Sequence, residues 1–185
     1  MKTGTDMQST INTVSALFGV TDVRQQNEQL YFMTSSEKLL PSLLIHLRDK
    51  EGFTHLTFLT AVDIIEDGQF QLTYMLHNYS SCINLAVLVF IDRDNPMMQS
   101  IHTLWEQARV FQQELREMFG IDFPGSPRIE ENFALEGWQD IPPMRRDFDT
   151  REYSEKTFCP RPGRHSENPR EYMKNKLYPD ATNNV

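Results

Sequence analysis

Residues 53–91, FTHLTFLTAVDIIEDGQFQLTYMLHNYSSCINLAVLVFI, decide the fold. Three apolar runs, 53–65, 69–77 and 83–91, carry the alternation and β-branched content of strands. The first two are joined by Glu66-Asp67-Gly68, and Asp-Gly between alternating apolar runs is a strong hairpin signal. The second and third are joined by Asn78-Tyr79-Ser80-Ser81, so an antiparallel meander is expected. The near-continuous LAVLVFI of the third run points to a strand covered on both faces. Within the first, Asp63 interrupts LTAVDII, where a strand interior avoids an unpaired carboxylate. It therefore needs backbone or arginine donors at a strand end.

Helical patterns flank this sheet. Met7, Ile11, Val14, Leu17 and Phe18 share one helical face that Gly19 closes. Residues 20–33 are polar and weakly alternating, as in an edge hairpin or strand. Ser35 and Ser36 then precede Leu39, Leu40, Leu43, Leu44 and Leu47 at helical spacing, with Pro41 acceptable only in the first turn and Gly52 as the stop. Beyond the meander, Asn95-Pro96 reads as a cap followed by a first-turn proline. The set Ile101, Leu104, Trp105, Ala108, Phe111, Leu115, Met118 and Phe119 then runs at helical spacing to Gly120, with a possible break at 107–109. The expected class is α+β: an antiparallel or mixed sheet with helices packed on it.

The chain has 185 residues, 39% hydrophobic and 24% charged, which suits one ordinary globular core. Its net charge of −8 argues against nucleic acid as a partner. Residues 1–150 hold 11 Lys+Arg against 21 Asp+Glu, and residues 151–185 hold 7 against 5, so the body is −10 and the tail +2. Eight of the ten prolines lie from Pro124 onward. Proline lacks an amide donor and fixes φ, so the end of the chain is expected to be extended. This divides the sequence into a body (1–122), a loop (123–150) and an extended arm (151–185). No apolar run approaches the roughly 20 residues of a membrane span, and the opening MKTGTDMQSTINTV lacks a signal-peptide core. A soluble, cytoplasmic chain is expected.

Catalytic patterns are missing from the sequence. There is no GxSxG, HExxH, GxGxxG or P-loop, and Cys82 and Cys159 have no metal or redox spacing, so they read as free structural thiols. The five histidines are scattered. Glu114 and Glu117, three apart on one helix face, could pair as catalytic acids, but a salt-bridged face with Arg109 and Arg116 explains them as well. What stands out is 114–147, ELREMFGIDFPGSPRIEENFALEGWQDIPPMRRD, too long for a connector. In water its Phe119, Phe123, Phe133, Leu135, Trp138 and Met144 would form a large apolar surface, so this chain's own sheet or a second chain should cover them, and the arm's prolines, which lower the entropy lost on docking, favour a second chain.

At these residues the sequence resembles the 30 kDa (C-type) subunit family of respiratory complex I and its relatives in membrane-bound hydrogenase complexes. The family signature runs Glu-Arg-Glu, two residues, Asp-Met-Phe-Gly-Ile, then Phe, Gly-His-Pro, a basic pair, and Pro-Leu-Arg-Lys-Asp. Glu114 stands at the second glutamate, Glu117 replaces the aspartate, and Met118-Phe119-Gly120-Ile121 match. Phe123, Gly125 and Pro127 continue the match with Ser126 in place of histidine, Pro143-Met144-Arg145-Arg146-Asp147 fit the close, and Leu59-Thr60-Ala61-Val62-Asp63 resembles the family's strand. Gln112-Gln113 and Glu130-Glu131-Asn132 depart from the pattern, the latter where a basic run is usual, as in a divergent branch.

The resemblance implies a subunit with no catalytic residue, metal or cofactor of its own, iron–sulfur clusters being held by other subunits. Implied partners are the large quinone-site or nickel-iron-type subunit and the small iron–sulfur subunit, with peripheral membrane association on the cytoplasmic side through the complex. Asp63, Trp138 and the signature residues would serve the interface. Arg145, Arg146 and Asp147 would contact the large subunit or this chain's own helix end through Glu114 or Glu117. The complex is expected to pass electrons from NADH or another donor to quinone, with a membrane-bound nickel-iron hydrogenase or related dehydrogenase as the alternative. Readings from other classes are a stand-alone adaptor and a free-standing acid–base or ligand-binding domain in which Asp63, Glu114 and Glu117 converge.

Overall fold

The computed structural model describes residues 4–158. The chain divides into two units after Phe148, so the loop from residue 123 belongs with the body. Helix α1 (Gly4–Phe18) leads into a hairpin of β1 (Thr21–Asn27) and β2 (Leu30–Thr34), followed by helix α2 (Leu40–Asp49). The meander is β3 (His55–Ile64), β4 (Gln69–Asn78) and β5 (Ile83–Asp92), and helix α3 (Ala108–Phe119) comes after it. The five strands lie in the order β1-β2-β5-β4-β3, antiparallel except for the β2–β5 pair, so the sheet is mixed.

Register gives each face its character. Leu59, Tyr74, Val87 and Met33 form one cross-strand row on the inner face, all buried. Onto that face pack Met7, Ile11 and Val14 of α1, the leucines of α2, and Ala108, Leu115 and Phe119 of α3, in one apolar core. Phe58, Met75, Ala86 and Phe32 form a row on the outer face, and Thr60, Thr73, Leu88 and Thr34 form the next. Val62, Gln71 and Phe90 make a third. None of these outer-face side chains belongs to the helix-covered core. β5 is thus covered on both faces only in part. Ala86 and Leu88, central in the sheet, are buried, whereas Phe90 is exposed.

Other differences from the sequence reading have local causes. Pro41 sits in the first turn of α2, but no serine side chain caps the helix; Leu39 and Leu40 donate their amides to the Ser36 carbonyl instead. Asn95-Pro96 does not start a helix. Pro96 accepts the amide of Asp122, and Met97 bridges Asp122 in parallel, so this stretch is recruited as extended chain. Residues 101–107 form turns, because Trp105 and Gln107 turn their side chains to the carbonyls of Thr54 and Leu56 beside edge strand β3. Occupying an edge carbonyl in this way discourages strand addition there.

The second unit, by itself, is a helix α4 (Thr150–Thr157) where an extended arm is expected from residue 151. Asp149 caps it by accepting the amides of Arg151 and Glu152. The prolines that argue against helix begin only at Pro160. The expected arm beyond residue 158, and Cys159 with it, lie outside the described residues.

Candidate functional site

The site grows from Asp63, 5% exposed on the inner face near the end of β3. Asp63 pairs with Phe70 and Phe70 with Ile91, so Arg93, two residues past Ile91, lies on the same side. The guanidinium of Arg93 forks onto the carboxylate, Nε to Oδ1 at 2.8 Å and Nη2 to Oδ2 at 3.1 Å. The backbone amide of Arg146 donates to Oδ2 at 2.9 Å, tying the signature loop to the sheet. Arg93 also reaches Asp147 at 2.9 Å, and Arg146 pairs with Glu66 in the β3–β4 turn.

Burial raises the Asp63 carboxyl pKa, but the Arg93 fork, the Arg146 amide and the nearby guanidinium charges outweigh it, leaving the group below the usual carboxylate range. Asp147 moves the same way: burial raises it, and the Arg93 hydrogen bond, its own backbone amide and the Arg145 and Arg93 charges together more than reverse this. Arg93 is raised in turn, first by its hydrogen bonds to Asp63. Beneath the ion network, the guanidinium carbons of Arg93 and Arg145 stand 5.8 and 5.7 Å from the centre of the buried Phe70 ring, with Phe119 edge-on at 6.0 Å. Arginine over an aromatic face gains from the ring quadrupole. Gly120, in left-handed conformation at the end of α3, lets the loop come close: a Cβ there would lie 3.2 Å from Pro142 Cγ. Met144 donates its amide to the Met118 carbonyl alongside.

A second fastening lies on α3. The Glu117 carboxylate accepts the amides of Phe133, Ala134 and Leu135 at 2.6, 2.7 and 2.7 Å. One turn earlier, Gln113 holds the Arg128 carbonyl at 2.6 Å, while Gln112 accepts from Ser100 Oγ at 2.8 Å. Both glutamines are buried, where a neutral amide carries no ionic desolvation cost. Arg116 pairs with Glu130, and Arg128 with Glu131 at 2.6 Å. Between α3 and residues 129–132 remains an open cleft of about 350 Å³ whose walls include Arg116, Glu117, Asp122 and Glu130.

The structure revises the expected partners of the closing Arg-Arg-Asp. These residues do not reach Glu114 or Glu117; their acceptors and donors lie at the end of the sheet, at Glu66, Asp63 and Arg93. The reason is that Glu117 is already filled by three loop amides. The apolar loop residues divide. Phe119 and Phe123 enter the chain's own core, Leu135 and Trp138 are half-buried, and Phe133, Ile141 and Met144 stay 43%, 42% and 59% exposed. Trp138 donates to the Ile141 carbonyl at 3.0 Å and meets Phe148 edge-on. Gly125, in left-handed conformation, turns the chain before the exposed Pro127, and Pro143 is half-buried.

Sequence reading missed Arg93, Glu66 and Phe70; counting the hairpin register across three strands would have found the first. As chemistry, Asp63 and Glu117 act as saturated acceptors facing different donors, so they do not form an acid–base pair. Among the described residues no cluster of three or more metal-ligating side chains occurs, and no helix is long and apolar enough to cross a membrane. Cys82 is a free, exposed thiol.

Fold and loop together define a class: a two-layer α+β domain that fastens a long signature loop to itself and leaves part of that loop greasy and open. Residues 32–154 match the family described as respiratory-chain NADH dehydrogenase, 30 Kd subunit, and the chain belongs to that family. Its relatives include the C-type subunit of the NADH-quinone oxidoreductase of Moorella thermoacetica, 30% identical over 142 residues that cover 77% of this chain and 95% of that one. The J-type subunit of the chloroplastic NAD(P)H-quinone oxidoreductase of Lemna minor is 27% identical over 56% of this chain and 68% of its own length. In solved structures the fold resembles a chain of the membrane-bound sulfane sulfur reductase, an archaeal respiratory membrane complex, with a TM-score of 0.73 at 19% identity, covering 88% of this chain and 96% of that one. It also resembles the trypsin-resistant fragment of Nqo5, with a TM-score of 0.58 at 17% identity, covering 66% and 98%.

Proposed function

We propose that this chain is a non-catalytic subunit of a complex I-like, membrane-associated oxidoreductase complex that passes electrons from NADH or another donor to quinone. It docks on the large quinone-site subunit beside the small iron–sulfur subunit and supports assembly and electron transfer coupled to ion translocation. It holds no redox group itself; the clusters reside in its neighbours. It sits peripherally, on the cytoplasmic side of the membrane, through those contacts. The observation that carries this reading is the loop. Two internal fastenings, at Asp63–Arg93 and at Glu117, hold it in one shape, while Phe133, Ile141 and Met144 point outward with no apolar cover of their own. A pre-shaped apolar surface loses little entropy on docking.

The test is affinity purification of the tagged chain from detergent-solubilised native membranes. Phe133→Asp and Met144→Asp should each lower recovery of the neighbouring subunits at least tenfold without moving the melting temperature of the chain alone. Full recovery with both variants would refute the docking role. A second reading, the equivalent subunit of a nickel-iron hydrogenase or related dehydrogenase, is favoured by the acidic Glu130 and Glu131 where the family has a basic pair, since reversed charge calls for a changed facing surface. The partners recovered, and whether they oxidise NADH, separate the two.

A further inference from the structure

The outer face of the sheet stands apart from the loop. On β2–β5, three cross-strand rows, beginning at Phe58, Thr60 and Val62, place eleven side chains on it, none of them ionisable; the first row meets charge only at Arg24 of β1, which pairs with Phe32. In a chain that is 24% charged, about two or three charges would be expected among eleven positions facing water, where an uncovered sheet face is normally polar. Instead Phe58, Val62 and Phe90 stand 37%, 50% and 37% exposed, with Met75 and Phe32 half-buried between them. The periphery is polar. Arg24 lies over the Phe32 ring at 4.9 Å on one side, and beyond the third row Asp92 pairs with Gln69. At the far end Tyr79, 66% exposed, is held by the rings of His77 at 4.7 Å and His55 at 5.6 Å. Aromatic and aliphatic side chains on either side of an uncharged, threonine-rich middle row, charge only at the rim, and an exposed tyrosine packed between two histidine rings match the anatomy of a protein interface.

We propose that this uncharged outer sheet face is a second docking surface, and that its occupant is an uncharged, apolar face of a different and larger polypeptide. Area and charge choose that occupant over a second copy of this chain. Four strands about 4.8 Å apart, crossed by three rows about 7 Å apart, cover roughly 400 Å². That is about half of what one partner contributes to a standard interface. Two copies meeting here would bury too little to hold together, and each brings a net charge of −8 to the encounter. A larger polypeptide gripping the chain elsewhere as well gains from this face without depending on it alone. A contact surface without charges suits a partner that also has none, because an unpaired charge opposite it would be desolvated at a cost. The choice of occupant rests on the proposed place of this chain in a larger complex, and the two surfaces are tested by separate variants.

Two experiments on the full chain test it. A photo-crosslinking phenylalanine analogue at Phe90 or Phe58, nearly isosteric with the native ring, is activated in native membranes and the crosslinked peptide is sequenced. The expected product joins this chain to a different polypeptide at an uncharged apolar stretch. Crosslinks to residues 159–185 of this chain, to a second copy, or to nothing above background overturn the proposal. In parallel, the double variant Val62→Glu/Phe90→Glu should cut recovery of that crosslinked polypeptide at least tenfold while the chain alone keeps its melting temperature within about 2 °C, as expected for surface substitutions. Unchanged recovery overturns it. Met144→Asp serves as the separate arm: loss there with full recovery in the sheet-face variant refutes this inference alone, and the converse refutes the loop reading alone.

Discussion

Replacing Arg93 by alanine is the sharpest test of how the signature loop is held. The side chains of Arg93 and Asp63 are 10% and 1% exposed, and their two-pronged contact has distances of 2.8 and 3.1 Å. Removing one partner of such a pair strands the other charge, at a typical cost of about 3–5 kcal/mol. The Arg146 amide at 2.9 Å remains to Asp63 and puts the expected loss toward the lower end. At about 2–4 °C per kcal/mol for a domain of this size, the melting temperature should fall by roughly 6–15 °C. The Arg93–Asp147 contact adds little, since Asp147 is 40% exposed and screened by water.

The pH dependence carries a definite sign. In the wild type Asp63 and Asp147 titrate below the usual carboxylate range, so their contribution is complete above the unfolded value and is lost as pH falls through the folded ones. Without Arg93, burial, the largest influence on Asp63, is opposed only by the Arg146 amide and the Arg145 charge, so the variant is penalised most at neutral pH, where the carboxylate is charged. The difference between wild type and variant should therefore be largest near pH 7 and shrink as pH falls through 4. Urea titrations at both pH values measure it directly. A neutral-pH loss below about 1 kcal/mol, or one that does not change with pH, would refute the assignment. Asp63→Asn combined with Arg93→Met should then recover part of the loss, because the stranded charge is gone.

Glu117→Ala removes the acceptor for three loop amides, and hydrogen exchange at Phe133, Ala134 and Leu135 should accelerate while global stability falls by only about 1–2 kcal/mol. Gly120→Ala places a Cβ at positive φ and 3.2 Å from Pro142; a loss of about 1–2 kcal/mol in chemical denaturation is expected, and no loss would show that Pro142 gives way freely. Tyr74 is fully buried with a hydroxyl that has no partner, and burial pushes its pKa well up. Tyr74→Phe should accordingly leave the urea midpoint unchanged or raise stability by about 1 kcal/mol.

The sheet was readable because its signals are local. Asp67-Gly68 makes a turn between two alternating runs, and the alternation of β4 survives in the burial of Phe70, Leu72, Tyr74 and Leu76. The parallel β2–β5 pairing was not readable, since nothing near residues 30–34 states which later strand will lie beside it. Nor was the fate of Asn95-Pro96, whose helix-start chemistry is overridden by a carbonyl that Asp122 needs. At the site, Asp63's need for donors was evident from one carboxylate in an apolar run. Its donor was hidden because Arg93 sits 30 residues away, and only the three-strand register brings the two together. The exposed faces of the loop could not be told from its buried ones by composition: Phe123 and Phe133 look alike in sequence, yet one is in the core and the other in water.

That division alters what a substitution in the signature can report. Arg145, Arg146 and Asp147 look like interface residues because they are charged and belong to the motif, but their partners are Phe70, Glu66 and Arg93 of the same chain. An Arg145→Ala variant that fails to assemble would thus be explained equally by a lost contact with a neighbour and by a loop that has come away from the sheet. Exposed side chains separate the two, because Met144 and Phe133 can be made charged without removing any of the ion pairs or amide contacts that shape the loop. Assembly lost through those residues, with loop amides still protected, locates the partner on the loop's outer side. Assembly lost only through Arg93 or Arg145, with the amides exposed, makes the motif an internal fastening whose shape, rather than whose charges, the partner reads.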